Sequence, residues 1–191
     1  MTQQNGIQLY GLRHGQSEAN EQGIIVSDPV AGCKGCGLTP AGRAQVSGAS
    51  SAAPLGQDAV ILCSPFLRTL ETARLLAEAR GVEDVTPDER LIERHFGTLE
   101  GSSDKCYGQV WDLDRRDPYH AHWQVESVRS VWQRFDSLWT ECRRRHIDRT
   151  VVFVTHGDVL SIGACGLQQA DLTTHHERFS FETAELRLLW P

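Results

Sequence analysis

An arginine and a histidine stand side by side at Arg13-His14, directly before Gly15. A permanently charged guanidinium lowers the pKa of a neighbouring imidazole, which keeps the ring neutral and nucleophilic. The same guanidinium can hold an anion that the ring attacks. A second histidine, His156, and a second arginine, Arg68, follow other apolar runs. Two histidines with two arginines predict phosphate chemistry, because two guanidinium groups suit the geometry of a phosphate.

Three apolar runs are predicted to be the strands that position these residues. They are rich in residue types that pack on a sheet, and they cover residues 7–12, 58–63 and 150–155. Parallel strands joined by helices end at the same edge of a sheet. We therefore expect two arginines and two histidines, Arg13, Arg68, His14 and His156, to meet in one cleft.

Glu93 is the predicted fifth member of the cleft. It follows the apolar pair Leu91-Ile92 and precedes Arg94. A carboxyl group between apolar residues and an arginine can be tuned as a proton donor. The alternative for this segment, taken alone, is a charged surface loop.

The rest of the chain alternates between helical and irregular segments, which predicts an α/β fold. A turn of helix is expected at 16–20, with its leading amides toward the anion. A long loop is expected at 23–37, an irregular cap over the site at about 102–123, and two edge strands at 178–190. Longer helices are predicted from Thr39-Pro40 to about Ser51, after Ser64-Pro65, at 125–146 and from Val159.

Length and composition bound the class of protein. The chain has 191 residues, 40% of them apolar and 23% charged, which suits one globular domain over 1–191. A net charge of −6 argues against nucleic acid or an anionic membrane as partner. No run approaches the roughly 20 apolar residues of a membrane helix. Residues 1–5 lack the basic start of a signal peptide, so we expect a cytoplasmic protein.

Cysteine and histidine spacing predicts no metal site. Cys33 and Cys36 have the spacing of half a zinc site, but no second such pair accompanies them. His120 and His122 lack an evident third ligand. The six cysteines are expected to be free thiols.

Five short motifs, in this order, resemble those of the histidine phosphatase superfamily, in its phosphoglycerate mutase-like branch. The resemblance spans residues 7 to about 165. The motifs are Arg13-His14-Gly15-Gln16-Ser17 with Asn20, Leu38-Thr39-Pro40-Ala41-Gly42, Ser64-Pro65-Phe66-Leu67-Arg68-Thr69, Glu93-Arg94-His95-Phe96-Gly97, and Thr155-His156-Gly157-Asp158.

The resemblance implies a three-layer sandwich, with a mostly parallel sheet and helices on both faces. It makes His14 the nucleophile that becomes phosphohistidine and Glu93 the residue that protonates the leaving oxygen and then activates water. Arg13, Arg68 and His156 would hold the transferring phosphoryl group. The pocket would be completed by Ser17, Asn20 and the amide of Gly157. Such an enzyme needs no metal and no cofactor, and its partner is a small phosphorylated substrate.

Departures from the family pattern favour hydrolysis over transfer. Asp158 stands where the mutases usually have Asn, and residues 23–37 match no pocket residue beyond Asn20. The segment after Glu93 is shorter than the mutase cap and lacks its Arg-Arg-Ser and Pro-rich run. One alternative is a cofactor-dependent phosphoglycerate mutase. Another is a non-catalytic interaction module, although such members lose the second histidine or the acid, and this chain has both.

Overall fold

The structure, a computed structural model, describes residues 6–191. Residues 1–5, where the sequence predicts no signal peptide, lie outside the described residues. The strands are β1 (Gln8–Arg13), β2 (Val60–Cys63), β3 (Val85–Pro87), β4 (Thr150–Thr155) and β5 (Leu186–Trp190), in the sheet order β3-β2-β4-β1-β5. The first four run parallel, and β5 is antiparallel to β1. The predicted α/β fold with a mostly parallel sheet is confirmed.

Eight α-helices lie in the described residues. They are α1 (Glu18–Gln22), α2 (Pro29–Lys34), α3 (Pro40–Ala52), α4 (Leu67–Arg80), α5 (Tyr107–Asp114), α6 (Val128–Arg145), α7 (Gly157–Leu167) and α8 (His175–Arg178). Short 3-10 helices occupy Glu89–Leu91, Gly97–Leu99, Asp104–Cys106, His122–Gln124 and Leu172–Thr174. None of the helices in the described part is long and apolar enough to cross a membrane.

Two apolar clusters bury the two faces of the sheet. One is formed by α6, α7 and strand residues, and it includes Phe135, Trp139 and Phe153. The other packs α4 and the segment after α3 against strand residues such as Ile61 and Val152. Burying a side chain of this size stabilises the fold by about 1.5–3 kcal/mol. Helices therefore cover both faces, as the three-layer prediction requires.

The register of the central strands brings the predicted site residues together. In the β1–β4 pair, Arg13 lies opposite Thr155. The backbone N–H of His14 donates to the Thr155 carbonyl at 3.0 Å. His14 and His156 thus follow the ends of adjacent strands, and their ring centroids lie 5.3 Å apart.

Two predictions for irregular segments are wrong. The 23–37 loop contains α2, because Asp28 caps it through bonds to the amides of Val30 and Ala31, with Pro29 in the first turn. The glycines and cysteines of this stretch favour a loop, so the sequence did not predict that Asp28 caps a helix. The 102–123 segment is not irregular throughout, because it contains α5.

Two predicted boundaries also differ. Residues 178–190 contain one edge strand, β5, and not two. The first predicted strand does not form, because residues 175–178 belong to α8. The Ser64-Pro65 pair predicts a helix capped by Ser64, but α4 begins at Leu67 and Ser64 does not cap it. The Ser64 hydroxyl instead accepts from the Phe66 amide and bonds the ring of His156.

Candidate active site

His14 is buried at the end of β1 with one ring nitrogen committed to the backbone. Its Nδ1 donates to the Gly15 carbonyl at 2.8 Å, which leaves Nε2 to accept from Arg68 Nε at 3.1 Å. Burial lowers the pKa of His14 well below its usual value, and the charges of Arg68 and then Arg13 lower it further. The predicted effect of Arg13 is therefore present but smaller than burial. The neutral ring keeps an electron pair on Nε2.

Arg68 lies in the first turn of α4 and joins the two histidines. Its Nη2 donates to the Val26 carbonyl at 3.0 Å and lies 3.1 Å from His156 Nδ1. Its Nη1 is buried and has no partner among the described residues. The same holds for Nε of Arg13, whose Nη1 donates to the Phe181 carbonyl. Buried donors without a partner are costly, so both arginines have a hydrogen bond to offer an anion.

His156 is fully buried between β4 and α7. Its Nδ1 accepts from Arg68, so its Nε2 donates to the Ser64 hydroxyl at 2.9 Å. Burial lowers its pKa well below the usual value, and Arg68 adds to this effect. The ring does not line the cleft directly, unlike the other predicted site residues. Ser64 was missed at the sequence level, although it follows β2 as the histidines follow β1 and β4.

Glu93 is a buried carboxyl group beside this cluster. Its Oε1 accepts from the Arg94 amide at 2.9 Å. Its Oε2 lies 3.7 Å from Arg68 Nη2 and 3.5 Å from His156 Nδ1. Burial raises the pKa of Glu93 to about 7, since desolvation outweighs the opposing charge of Arg68. Such a carboxyl group can give and take a proton near neutral pH.

Ser17, Asn20 and Gly157 also line the cleft. Ser17 caps α1, and its amide and hydroxyl donate to Asn20 Oδ1 at 3.0 and 2.9 Å. A Cβ at Gly157 would lie 3.4 Å from the Arg13 guanidinium, an ordinary contact distance, so the turn lies directly against that side chain. The structure thus places all eight predicted residues in or directly beneath one cleft.

Residues 9–189 match the family described as the histidine phosphatase superfamily, branch 1. The chain belongs to the histidine phosphatase superfamily. It is 30% identical over 176 residues to phosphoserine phosphatase 1 of Hydrogenobacter thermophilus, which covers 87% of this chain and 79% of the relative.

Solved structures of histidine phosphatase-like proteins share the fold. A mycobacterial glucosyl-3-phosphoglycerate phosphatase in complex with VO3 is 25% identical, with a TM-score of 0.76 over 95% of this chain and 96% of the other. A phosphoserine phosphatase mutant from Entamoeba histolytica, in complex with phosphoserine, is 26% identical, with a TM-score of 0.75 over 94% and 88%.

In this histidine phosphatase superfamily member, the cleft has a second wall, of which the sequence predicted only a cap in the segment 102–123. We call it the α5–α8 wall, and it consists of Tyr107, Trp111, Asp158, Ser161 and His176. The Trp111 ring stacks on His176 with centroids 3.4 Å apart, and its Nε1 donates to Asp158 Oδ1 at 3.0 Å. The residues come from three helices, so no local spacing in the sequence connects them.

A buried ionic network lies behind this wall. Arg94 is fully buried and donates to both oxygens of Asp114 at 2.7 Å, and to Asp158 Oδ2 at 3.2 Å. His120, considered above as half of a metal pair with His122, instead bonds Asp114 at 2.7 Å. The network fixes α5 to α7, which holds the α5–α8 wall in place.

Proposed function

We propose that this chain is a metal-independent phosphatase that hydrolyses small phosphomonoesters through a phosphohistidine on His14. The observation that carries the proposal is a neutral His14 whose Nε2 accepts from Arg68 Nε, in a cleft where two other buried arginine N–H groups, Arg13 Nε and Arg68 Nη1, lack a partner among the described residues. The three relatives compared above are phosphatases by name, which supports the proposal. The cleft is partly open to solvent and lined by both charged and apolar side chains, which suits a small phosphorylated molecule.

In the first step, the electron pair of His14 Nε2 forms a bond to phosphorus as the bond to the ester oxygen breaks. Arg13 and Arg68 stabilise the charge on the phosphoryl oxygens, the role that metal ions have in kinases. Glu93 gives its proton to the departing oxygen, since its pKa of about 7 leaves much of it protonated. His156 accepts from Arg68 Nη2 through Nδ1, which holds that guanidinium in place for the phosphoryl group.

In the second step, water attacks the phosphorus of the phosphohistidine. Glu93, now a carboxylate, takes a proton from that water, and the bond to Nε2 breaks. Inorganic phosphate leaves, and both residues return to their starting states. Ser17, Asn20 and the Gly157 amide complete the binding of the phosphoryl oxygens in this scheme.

Two other assignments belong to the same proposal. One domain spans 1–191, with 102–123 as its cap, and the α5 residues on the cleft support that role. The cytosol is the proposed location, which cell fractionation tests.

The mutase alternative needs a cleft that excludes water, whereas this one is partly open. The interaction module alternative does not require His14, Glu93 and His156 to be held together.

Labelling of the enzyme tests the proposal. With a radiolabelled phosphomonoester and excess EDTA, the wild type should form an acid-labile, alkali-stable phosphoenzyme and release phosphate. His14→Ala should lose both the label and turnover, because the nucleophile forms the covalent bond. His122→Ala, a change at an exposed histidine, should keep both. Turnover by His14→Ala at the wild-type rate, or loss of activity in EDTA that Mg²⁺ restores, would contradict the proposal.

A further inference from the structure

The α5–α8 wall presents a carboxylate to the cleft at Asp158. The residue is 8% exposed and lines the cleft. Its Oδ1 accepts from Trp111 Nε1 and its Oδ2 accepts from Arg94 Nη1. A carboxylate has about four acceptor positions, so two of them are unused. Asp158 can therefore accept further hydrogen bonds from a molecule in the cleft.

The charge of Asp158 is only partly compensated. Its cationic neighbour Arg94 is shared with Asp114, which takes the two shorter bonds at 2.7 Å against 3.2 Å for Asp158. Asp114 is also bonded by the rings of His120 and His175, whereas Arg94 is the one cationic side chain paired with Asp158 among the described residues. The remaining negative charge reaches the cleft, and Asp158 is one of the charges that raise the pKa of Glu93.

Arg13 and Arg68 are the permanent cations that line the described cleft, and both bind the phosphoryl group in the proposed reaction. Arg94 is fully buried behind Asp158 and out of reach of a substrate. His176 lies on the wall, and burial lowers its pKa, so its ring is neutral at pH 7. A carboxylate on the leaving group would meet Asp158 without a counter-charge, which is unfavourable. An ammonium group would gain a charge-assisted hydrogen bond.

We infer that the substrate is a phosphate monoester of an amino alcohol, whose ammonium group binds Asp158 and whose alcohol carries no carboxylate. This rests on the proposed phosphatase function and specifies its substrate class. Hydrolysis consumes one water and releases the amino alcohol and inorganic phosphate, and the ammonium group takes no part in bond breaking. The substrate class differs from the phosphoglycerate derivative in the name of one structural relative, and it differs from phosphoserine, in the names of two other relatives, because it has no carboxylate.

Three esters of nearly equal size test the inference: phosphoethanolamine, ethyl phosphate and phosphoglycolate. They carry an ammonium group, no charge and a carboxylate at the same position. We expect kcat/KM to fall in that order, by about 10²-fold from the first to the last, as a hydrogen bond between charged groups predicts. Equal or better hydrolysis of phosphoglycolate by the wild type would overturn the inference, whatever the variants do.

Asp158→Asn separates the role of the carboxylate from the different leaving tendencies of the alcohols. The variant keeps an acceptor for Trp111 but loses the charge, so the ratio of phosphoethanolamine to phosphoglycolate should fall at least about 10-fold. Asp112→Asn makes the same change on the exposed side of α5 and should leave the ratio unchanged. An unchanged ratio in a folded Asp158→Asn would overturn the inference.

Nitrophenyl phosphate distinguishes the failure of this inference from failure of the proposed function. Its leaving group has no ammonium or carboxylate group, so the wild type should hydrolyse it in either case. Hydrolysis of nitrophenyl phosphate with preference for phosphoglycolate overturns only the amino alcohol assignment. Absence of hydrolysis of all four esters overturns the phosphatase proposal, and the substrate class with it.

Discussion

Burial acts on the individual residues of the cleft in opposite directions. It lowers the pKa of His14 and His156, because desolvation disfavours the imidazolium, and it raises that of Glu93, because desolvation disfavours the carboxylate. One physical cause therefore leaves the nucleophile with an unprotonated ring nitrogen and the acid with its proton. This is the pair of protonation states that attack on phosphorus and departure of an alcohol require.

Glu93→Gln should reveal the acid through its dependence on the leaving group. The amide keeps the shape but has no proton to transfer, so hydrolysis of ethyl phosphate should fall by about 10²–10⁴-fold. Nitrophenolate leaves without protonation, so with nitrophenyl phosphate the first step should be much less affected. Stopped-flow measurements should then show a burst of nitrophenolate, because Glu93 is also needed to activate water.

The matched control for this variant is Glu89→Gln, at an exposed glutamate of the preceding segment. It should behave as the wild type with both esters. The competing role for Glu93 is a structural one, through its bond to the Arg94 amide. Equal losses for the two esters without a burst would favour that role and remove Glu93 from the catalytic residues.

The sequence was sufficient to predict the residues that follow strands, and insufficient for those that contact them through tertiary packing. His14 and His156 could be placed together because parallel strands share an edge. The relative size of the effects on the pKa of His14 could not be predicted, because burial and the approach of Arg68 depend on how α4 packs. Asp158 stood beside a predicted site residue, but its bond to Trp111 depends on the position of α5.

Among the elements, α3 contacts the turn after β1 backbone to backbone. The Thr39 amide donates to the Gln16 carbonyl at 3.0 Å, and the Thr39 hydroxyl caps the helix at Gly42. A Cβ on Gly42 would lie 2.0 Å from the Gln16 carbonyl oxygen, and one on Gly15 would lie 2.6 Å from the Gly42 carbonyl oxygen. Glycine at both positions thus lets α3 support the turn that holds His14.

Gly42→Ala should therefore move the turn and impair catalysis. The methyl group forces the Gln16 backbone away, which should destabilise the fold by about 1–3 kcal/mol. A displacement of the nucleophile by about 1 Å should lower kcat/KM by about 10²-fold. Urea unfolding and nitrophenyl phosphate hydrolysis measure the two effects.

Gly48→Ala is the matched control in the same helix. A Cβ at Gly48 has nothing within 4 Å, so the change should stabilise α3 by about 0.5–1 kcal/mol and leave activity unchanged. If Gly42→Ala were as active and as stable as Gly48→Ala, α3 would not support the catalytic turn in the way that we describe.

Long elements with a clear period were predictable, whereas short ones held by local caps were not. The buried stripe of α6, including Val131, Phe135 and Leu138, follows the helical spacing of the sequence. Helix α2 depends on one side chain, Asp28, amid glycines that favour a loop. Residues 178–181 alternate as a strand does, but helix α8 reaches Arg178 within this stretch.

At the scale of the whole molecule, the buried site couples stability to pH. The lowered pKa values of His14 and His156 contribute stability that is lost as the pH falls below about 6.5, where the unfolded chain binds protons and the native one does not. Glu93 acts in the opposite direction. Its pKa is raised from 4.5 to about 7, so its contribution is full below 4.5 and is lost as the pH rises through 7.

The net effect between pH 4.5 and 6.5 can be tested with Glu93→Gln. In this window the lowered pKa values of the two histidines give the unfolded state more bound protons, whereas Glu93 gives the native state more. Glu93→Gln removes the opposing contribution, so the free energy of unfolding should rise with pH more steeply in the variant than in the wild type, by up to one proton, ~1.4 kcal/mol per pH unit. Groups far from Glu93 affect both proteins alike, so the difference in slope reports on Glu93 and on the His156 ring beside it. Urea unfolding of both proteins at several pH values measures it, and parallel slopes would mean that Glu93 titrates in the native protein as it does in the unfolded chain.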